Sequence, residues 1–121
     1  MHELSIATSI VEIARGHAWA AGGGRILAVT LRVGRLASVH EAALRSAFEI
    51  ATIETPLAGA ELRVIVVPVT IFCALCAAEK ELAGIGSLAC PTCGRPSGDI
   101  RTGTELEVDS IEIEPVENAT A

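Results

Sequence analysis

With 121 residues, a formal charge of −6 and a single lysine, Lys80, the chain is long enough for one ordinary domain plus a small appendage, and it lacks the basic surface that tracks nucleic-acid phosphates. Half of it is apolar, yet its aromatics are limited to Trp19, Phe48 and Phe72, so the core must be aliphatic and stacking platforms for unpaired bases are missing. No stretch approaches a membrane span.

From Leu4 to about Ala21, apolar residues recur at Leu4, Ala7, Ile10, Val11, Ala14 and Ala18, the spacing that lines one face of a helix. Gly22-Gly23-Gly24 terminates it. These glycines read as a turn, not as a phosphate loop, since no strand precedes them and no Gly-Lys-Ser/Thr follows. Arg25 to Val33 then alternates Leu27, Val29, Leu31 and Val33 with Ile26, Ala28, Thr30 and Arg32, which predicts a strand covered mainly on one side. Ser38-Val39-His40-Glu41 matches a capping box, with Ser38 as cap, and predicts a second helix over Val39 to about Ile53. Its buried stripe would hold Leu44, Ala47, Phe48 and Ala51, and Thr55-Pro56 would close it.

Glu61 to Val69 predicts a second strand, with Pro68 near its end where a missing donor is tolerated. Glu105 to Glu114 predicts a third, with a register change near Asp109-Ser110, and the tail from Pro115 is expected to fray. The fold class is α+β: a three-stranded sheet backed by two helices, with a zinc-ribbon-like module inserted between the last two strands. Residues 1–69 and 101–117 would form the α/β body, 70–100 the module and 118–121 a tail.

The module holds every cysteine of the chain, Cys73, Cys76, Cys90 and Cys93, as two C-x-x-C pairs separated by 13 residues. Two such turns close a tetrahedral shell of four sulfurs, which suits structural Zn2+. Ala77 to Ala89 is too small and weakly patterned to order itself, whereas zinc binding supplies roughly 10–16 kcal/mol. Two disulfides would require an oxidising compartment, and Met-His-Glu-Leu-Ser-Ile-Ala has no basic and apolar leader pattern; reduced cysteines then imply the cytoplasm. A thioredoxin-like pair or a rubredoxin-like iron site fits the spacing less well, and zinc deamination lacks its proline, since Ala89 precedes Cys90. With four sulfur ligands no open position remains for catalysis, and nothing else in the chain assembles a nucleophile, a base and an orienting group.

A second candidate site is Met1-His2-Glu3. A terminal amine, the His2 amide and its imidazole can chelate one metal through fused rings, with Glu3 adding a fourth donor; such nitrogen-rich sets favour Ni(II) or Cu(II). Taken by themselves these residues read more readily as a solvated histidine and an acid placed to complement a helix dipole than as a metal site. His17 reads as a helix-face residue, and His40 as surface filler.

Met1-His2-Glu3-Leu4-Ser5-Ile6-Ala7, Leu31-Arg32-Val33-Gly34-Arg35-Leu36 and the two cysteine pairs, the second as Cys-Pro-x-Cys-Gly, together resemble the HypA/HybF family. Ser9 to Ala14, Glu41 to Leu44, Ala47-Phe48-Glu49, Gly103-x-Glu105-Leu106 and Ser110-Ile111-Glu112 extend the resemblance over essentially the whole chain. It implies a nickel metallochaperone, not an enzyme, for maturation of [NiFe] hydrogenase and, in some members, urease. It implies structural zinc on Cys73, Cys76, Cys90 and Cys93, and nickel as cargo at Met1, His2 and Glu3, with His40 as an auxiliary donor where some relatives carry a carboxylate. Implied partners are the maturation GTPase, the hydrogenase large-subunit precursor and urease maturation proteins; monomer and homodimer both stay open, with no nucleic acid and no membrane. The rival reading is a zinc-ribbon interaction or nucleic-acid module without nickel. Ala77 departs from the family, which often has glycine there, so the turn after the first cysteine pair is expected to adjust.

Overall fold

In a computed structural model the protein is described over residues 2–115; Met1 and the expected tail at 118–121, with 116 and 117, lie outside the described residues. The elements run α1 (Glu3–Ala20), β1 (Ile26–Gly34), α2 (Glu41–Ala51), β2 (Glu61–Val67), β3 (Thr70–Cys73), β4 (Ala78–Glu81), β5 (Ile100–Thr102) and β6 (Leu106–Ile113). They make two three-stranded sheets, ordered β2-β1-β6 and β4-β3-β5. The first is the expected sheet, and the second takes β3 and β4 from the expected insertion at 70–100 but runs past its end, since β5 reaches Thr102. Two compact units result: Met1–Leu31 with Val39–Val64 and Val108–Ala121, and Arg32–Ser38 with Ile65–Glu107.

In the first unit α1 buries Ala7, Ile10, Val11, Ala14 and Ala18, as the spacing predicts, and packs against α2. Leu4, placed in that stripe, is 54% exposed, because the stripe starts one turn later. The helix stops where Gly23 N–H reaches Ala18 O (2.7 Å) with φ of +82°, a left-handed position that glycine adopts without strain. On β1 the simple alternation fails: Ala28 and Val29 are neighbours and both are buried, so this central strand is covered on both faces there, while Leu27 is exposed.

The second helix begins at Glu41, not Val39, and ends at Ala51, two residues before Ile53. Leu44, Ala47 and Phe48 are buried and Ala51 is half-buried. Ser38 is not its cap. Ser38 has φ of +57°, outside the extended region a cap requires, and His40 occupies the cap position instead, its Nδ1 accepting from the Ala43 N–H at 3.1 Å.

Glu61 to Val69, expected as one strand, divides at Pro68. Val67 O accepts from Arg35 N–H (3.0 Å) and Val69 O from Leu82 N–H (2.8 Å), so the carbonyls on either side of the proline serve different partners. β6 shows the expected slip: its alternation of covered and exposed residues breaks at Asp109-Ser110. In the second unit the buried cluster is Val69, Ile71, Cys73, Leu82 and Cys90, flanked by Leu36, Cys76, Leu88 and Ile100. Gly34 and Gly103 cross there so closely that a Cβ on Gly34 would strike the Gly103 carbonyl.

Candidate metal centres

β3 ends on Cys73, which pairs with Ala78 at the start of β4, so the hairpin turn between them presents Cys76 back towards Cys73. Ala77 takes φ of +54° in that turn. Alanine there adopts the left-handed conformation that Gly94 takes, at +78°, after the second pair. The second knuckle is closed by Gly94 N–H to Cys90 O and Cys90 N–H to Arg95 O, both 2.8 Å, above an Ala89–Pro96 bridge.

Ser97 joins the two knuckles. Its hydroxyl donates to Phe72 O (2.7 Å), next to Cys73, and accepts from Asp99 N–H (3.2 Å), while its own N–H reaches Leu88 O (3.0 Å). Its role is not legible in sequence, because a serine in a Pro-Ser-Gly stretch reads as ordinary loop chemistry.

The four sulfurs lie within 4.8 Å of one another. Cys73–Cys93 are 3.5 Å apart and Cys76–Cys90 4.0 Å. A Zn–S bond of about 2.3 Å gives a tetrahedron edge of about 3.8 Å, between these two values, whereas a disulfide needs about 2.05 Å. The donor set therefore fits a four-thiolate ion, and the disulfide reading does not fit. Cys73 and Cys90 are buried, Cys76 is half-buried and Cys93 exposed.

The thiols are not equivalent. Backbone N–H groups of Cys93, then Thr92, point at the Cys90 sulfur and hold that thiol down to about 6 against burial. Hydrogen bonding to Cys73, then burial, pushes Cys76 up to about 12. Four thiolates cannot share this space unaided, and a dication removes the conflict by compensating their charge. Among the described residues, these cysteines are the one group of three or more His, Cys, Asp or Glu side chains placed to hold a single ion.

Of the second candidate site, Met1 lies outside the described residues. His2 is the cap residue of α1 (φ −82°, ψ 99°), exposed, and its side chain makes no capping bond. Glu3 begins α1, and its Oε2 accepts from His40 N–H at 3.5 Å. The fold thus brings Glu3 and His40 together, 37 residues apart in sequence. His17 stands elsewhere, exposed in the last turn of α1 beside a cavity of about 240 Å³ lined by Asp109 and Ile111.

A family profile described as "Hydrogenase/urease nickel incorporation, metallochaperone, hypA" matches residues 1–113. A hydrogenase maturation factor HypA from Chloroflexus aurantiacus is 53% identical over 112 residues, covering 93% of this chain and 98% of that protein. Its counterpart from Desulfosudis oleivorans is 44% identical over 115 residues, covering 93% and 98%. The solution structure of the Ni metallochaperone HypA from Helicobacter pylori superposes with a TM-score of 0.66 over 93% of this chain and 97% of that one, at 22% identity. At that identity the superposition speaks for the fold. With a profile match over nearly its whole length and relatives above half identity, the chain belongs to the HypA family of nickel metallochaperones, which are not enzymes, and its four-cysteine group is the metal centre that suits the family's zinc.

Proposed function

We propose that this protein carries Ni2+ at Met1, His2 and Glu3 and passes it to the hydrogenase large-subunit precursor with the help of the maturation GTPase, while zinc on Cys73, Cys76, Cys90 and Cys93 holds the second unit in shape. Residues 1–69 with 101–117 form the nickel-binding body and 70–100 the zinc module. Urease is a further destination that the family description supports. A four-thiolate centre needs reduced sulfur, which supports a cytoplasmic site of action, and no described helix is long and apolar enough to cross a membrane.

One observation carries the nickel assignment: His2 is exposed at the start of α1, its side chain makes no capping bond, and Glu3 follows it directly in the chain. The positive end of the helix dipole opposes a dication there by roughly 0.3–1 kcal/mol. That direction suits a carrier, which has to release its cargo. His40 stands beside this group with its Nδ1 already engaged and is not counted among the donors.

The test is a calorimetric Ni2+ titration of zinc-loaded protein with its native terminus, beside His2→Ala and a variant with extra residues before Met1, zinc content being matched in all. Tight binding by the native form alone is the expected result. Equal binding by all three would show that the nickel site lies elsewhere.

A further inference from the structure

The start of α2 is capped in an unusual way. In a capping box the cap side chain takes the N–H of the third helical residue, and the side chain of that residue returns to the cap's own N–H. In α2 the first half is present, since His40 Nδ1 accepts from Ala43 N–H at 3.1 Å. The second half cannot be local, because Ala43 has no acceptor. Glu41, two residues earlier, is committed to Arg45 at 3.2 Å. The orphan His40 N–H is met by Glu3 Oε2, from α1, at 3.5 Å.

We propose that His40 and Glu3 form a capping box shared between two helices, and that His40 is thereby a positioning residue for the nickel site and not a nickel donor. This rests on nickel being carried at the first residues of the chain. An imidazole nitrogen that accepts a hydrogen bond is unprotonated, so the neutral ring carries its proton on Nε2. Both nitrogens are then spoken for. Ligation through Nδ1 would break the cap, and ligation through Nε2 would move the proton to Nδ1, against the Ala43 N–H. Capping and metal donation exclude each other at this ring.

His2 makes the contrast. It holds the same cap position on α1 with nearly the same backbone, φ −82° and ψ 99° against −85° and 105° for His40, yet its ring makes no capping bond. Of two histidines at two helix starts, one is spent on the helix and the other is left free. The shared box draws Glu3 towards the start of α2, so the adjacent His2 imidazole is presented from a helix start that this contact helps to orient.

The test uses whole, zinc-loaded protein. In the nickel-free form, long-range proton–nitrogen NMR should find the His40 ring as the Nε2–H tautomer; the Nδ1–H tautomer would overturn the box. Nickel titrations then compare the native chain with His40→Asn, which caps but offers no imidazole, and His40→Ala, which does neither. The native chain and His40→Asn should agree within about threefold, while His40→Ala binds roughly three- to tenfold more weakly. Equal loss in both variants would make His40 a donor and overturn the proposal, as would no loss in either. Ser46→Gly, which weakens α2 away from its start, should leave nickel affinity unchanged; a loss matching that of His40→Ala would mean that helix stability alone is being read. If His2→Ala binds nickel as the native chain does, nickel carriage at the terminus fails while the tautomer still decides the box.

Discussion

Ala77 carries a strain that its neighbour in role, Gly94, does not. Both follow a C-x-x-C pair and both sit at positive φ, +54° and +78°. A non-glycine residue in this region gives up about 1–2 kcal/mol, of which glycine's greater freedom in the unfolded chain recovers about 0.5–1 for the alanine. Ala77→Gly should therefore raise the stability of the zinc-loaded protein by about 0.5–1 kcal/mol, and Gly94→Ala should lower it by a similar amount, read as shifts in the denaturant midpoint at constant slope. A fall on Ala77→Gly would mean that the turn is relaxed as it stands. Ala77 is exposed, so removal of its Cβ gives up little packing.

At the scale of elements, legibility followed how local the deciding interaction was. α1 could be read because its partner face, its glycine stop and its 3.6-residue period all lie within one stretch of chain. The four cysteines could be read because a metal needs only residue type and spacing. The split at Pro68 could not, since periodicity in Glu61 to Val69 is silent on which strand will receive each carbonyl. Nor could the cap of α2: Ser38 and Glu41 have the right spacing, but Ser38 is turned into positive φ, and the residue completing the actual cap, Glu3, comes from another helix. β5 was hidden for a similar reason. It is three residues long, and its place beside β3 is held by side chains that read as loop, Ser97 and the fork from Arg101 to Asp99 at 2.9 and 3.0 Å, with the guanidinium 4.7 Å from the centre of the Phe72 ring. That fork gives a pH prediction. Hydrogen bonding to Arg101 holds the Asp99 carboxyl below its ordinary 3.8. A folded-state value below the unfolded one stabilises above about 3.8 and is lost as pH falls through the folded value. Asp99→Asn should thus lower the stability of the metal-loaded protein slightly at neutral pH and low salt, the difference shrinking with added salt and again on acidification below that value. A difference indifferent to both salt and pH would assign the effect to loop packing.

For the whole molecule, the two units draw on different sources of stability. In the first, two helices bury apolar faces against their surroundings with no metal among their donors, Ala7, Ile10, Val11, Ala14 and Ala18 on one and Leu44, Ala47 and Phe48 on the other. In the second, two of the five residues in the buried cluster, Cys73 and Cys90, are themselves metal-binding sulfurs. Removing the ion there takes away roughly 10–16 kcal/mol of binding free energy and leaves crowded thiols whose protonation preferences conflict, in a cluster with only Val69, Ile71 and Leu82 as its remaining buried members. Chelation under reducing conditions should therefore remove amide-exchange protection from β3, β4 and β5 first, while the central turns of α1 and α2 remain protected for longer. Simultaneous loss in both units would show a single cooperative structure that depends on zinc throughout. Persistence of protection in β3 and β4 without metal would show that hairpin pairing from Thr70 to Glu81 suffices, and would reduce the ion to a clamp on the second knuckle. The expected order matters for the carrier role, because a nickel site built on the starts of α1 and α2 would then keep its helical platform when the zinc centre is disturbed.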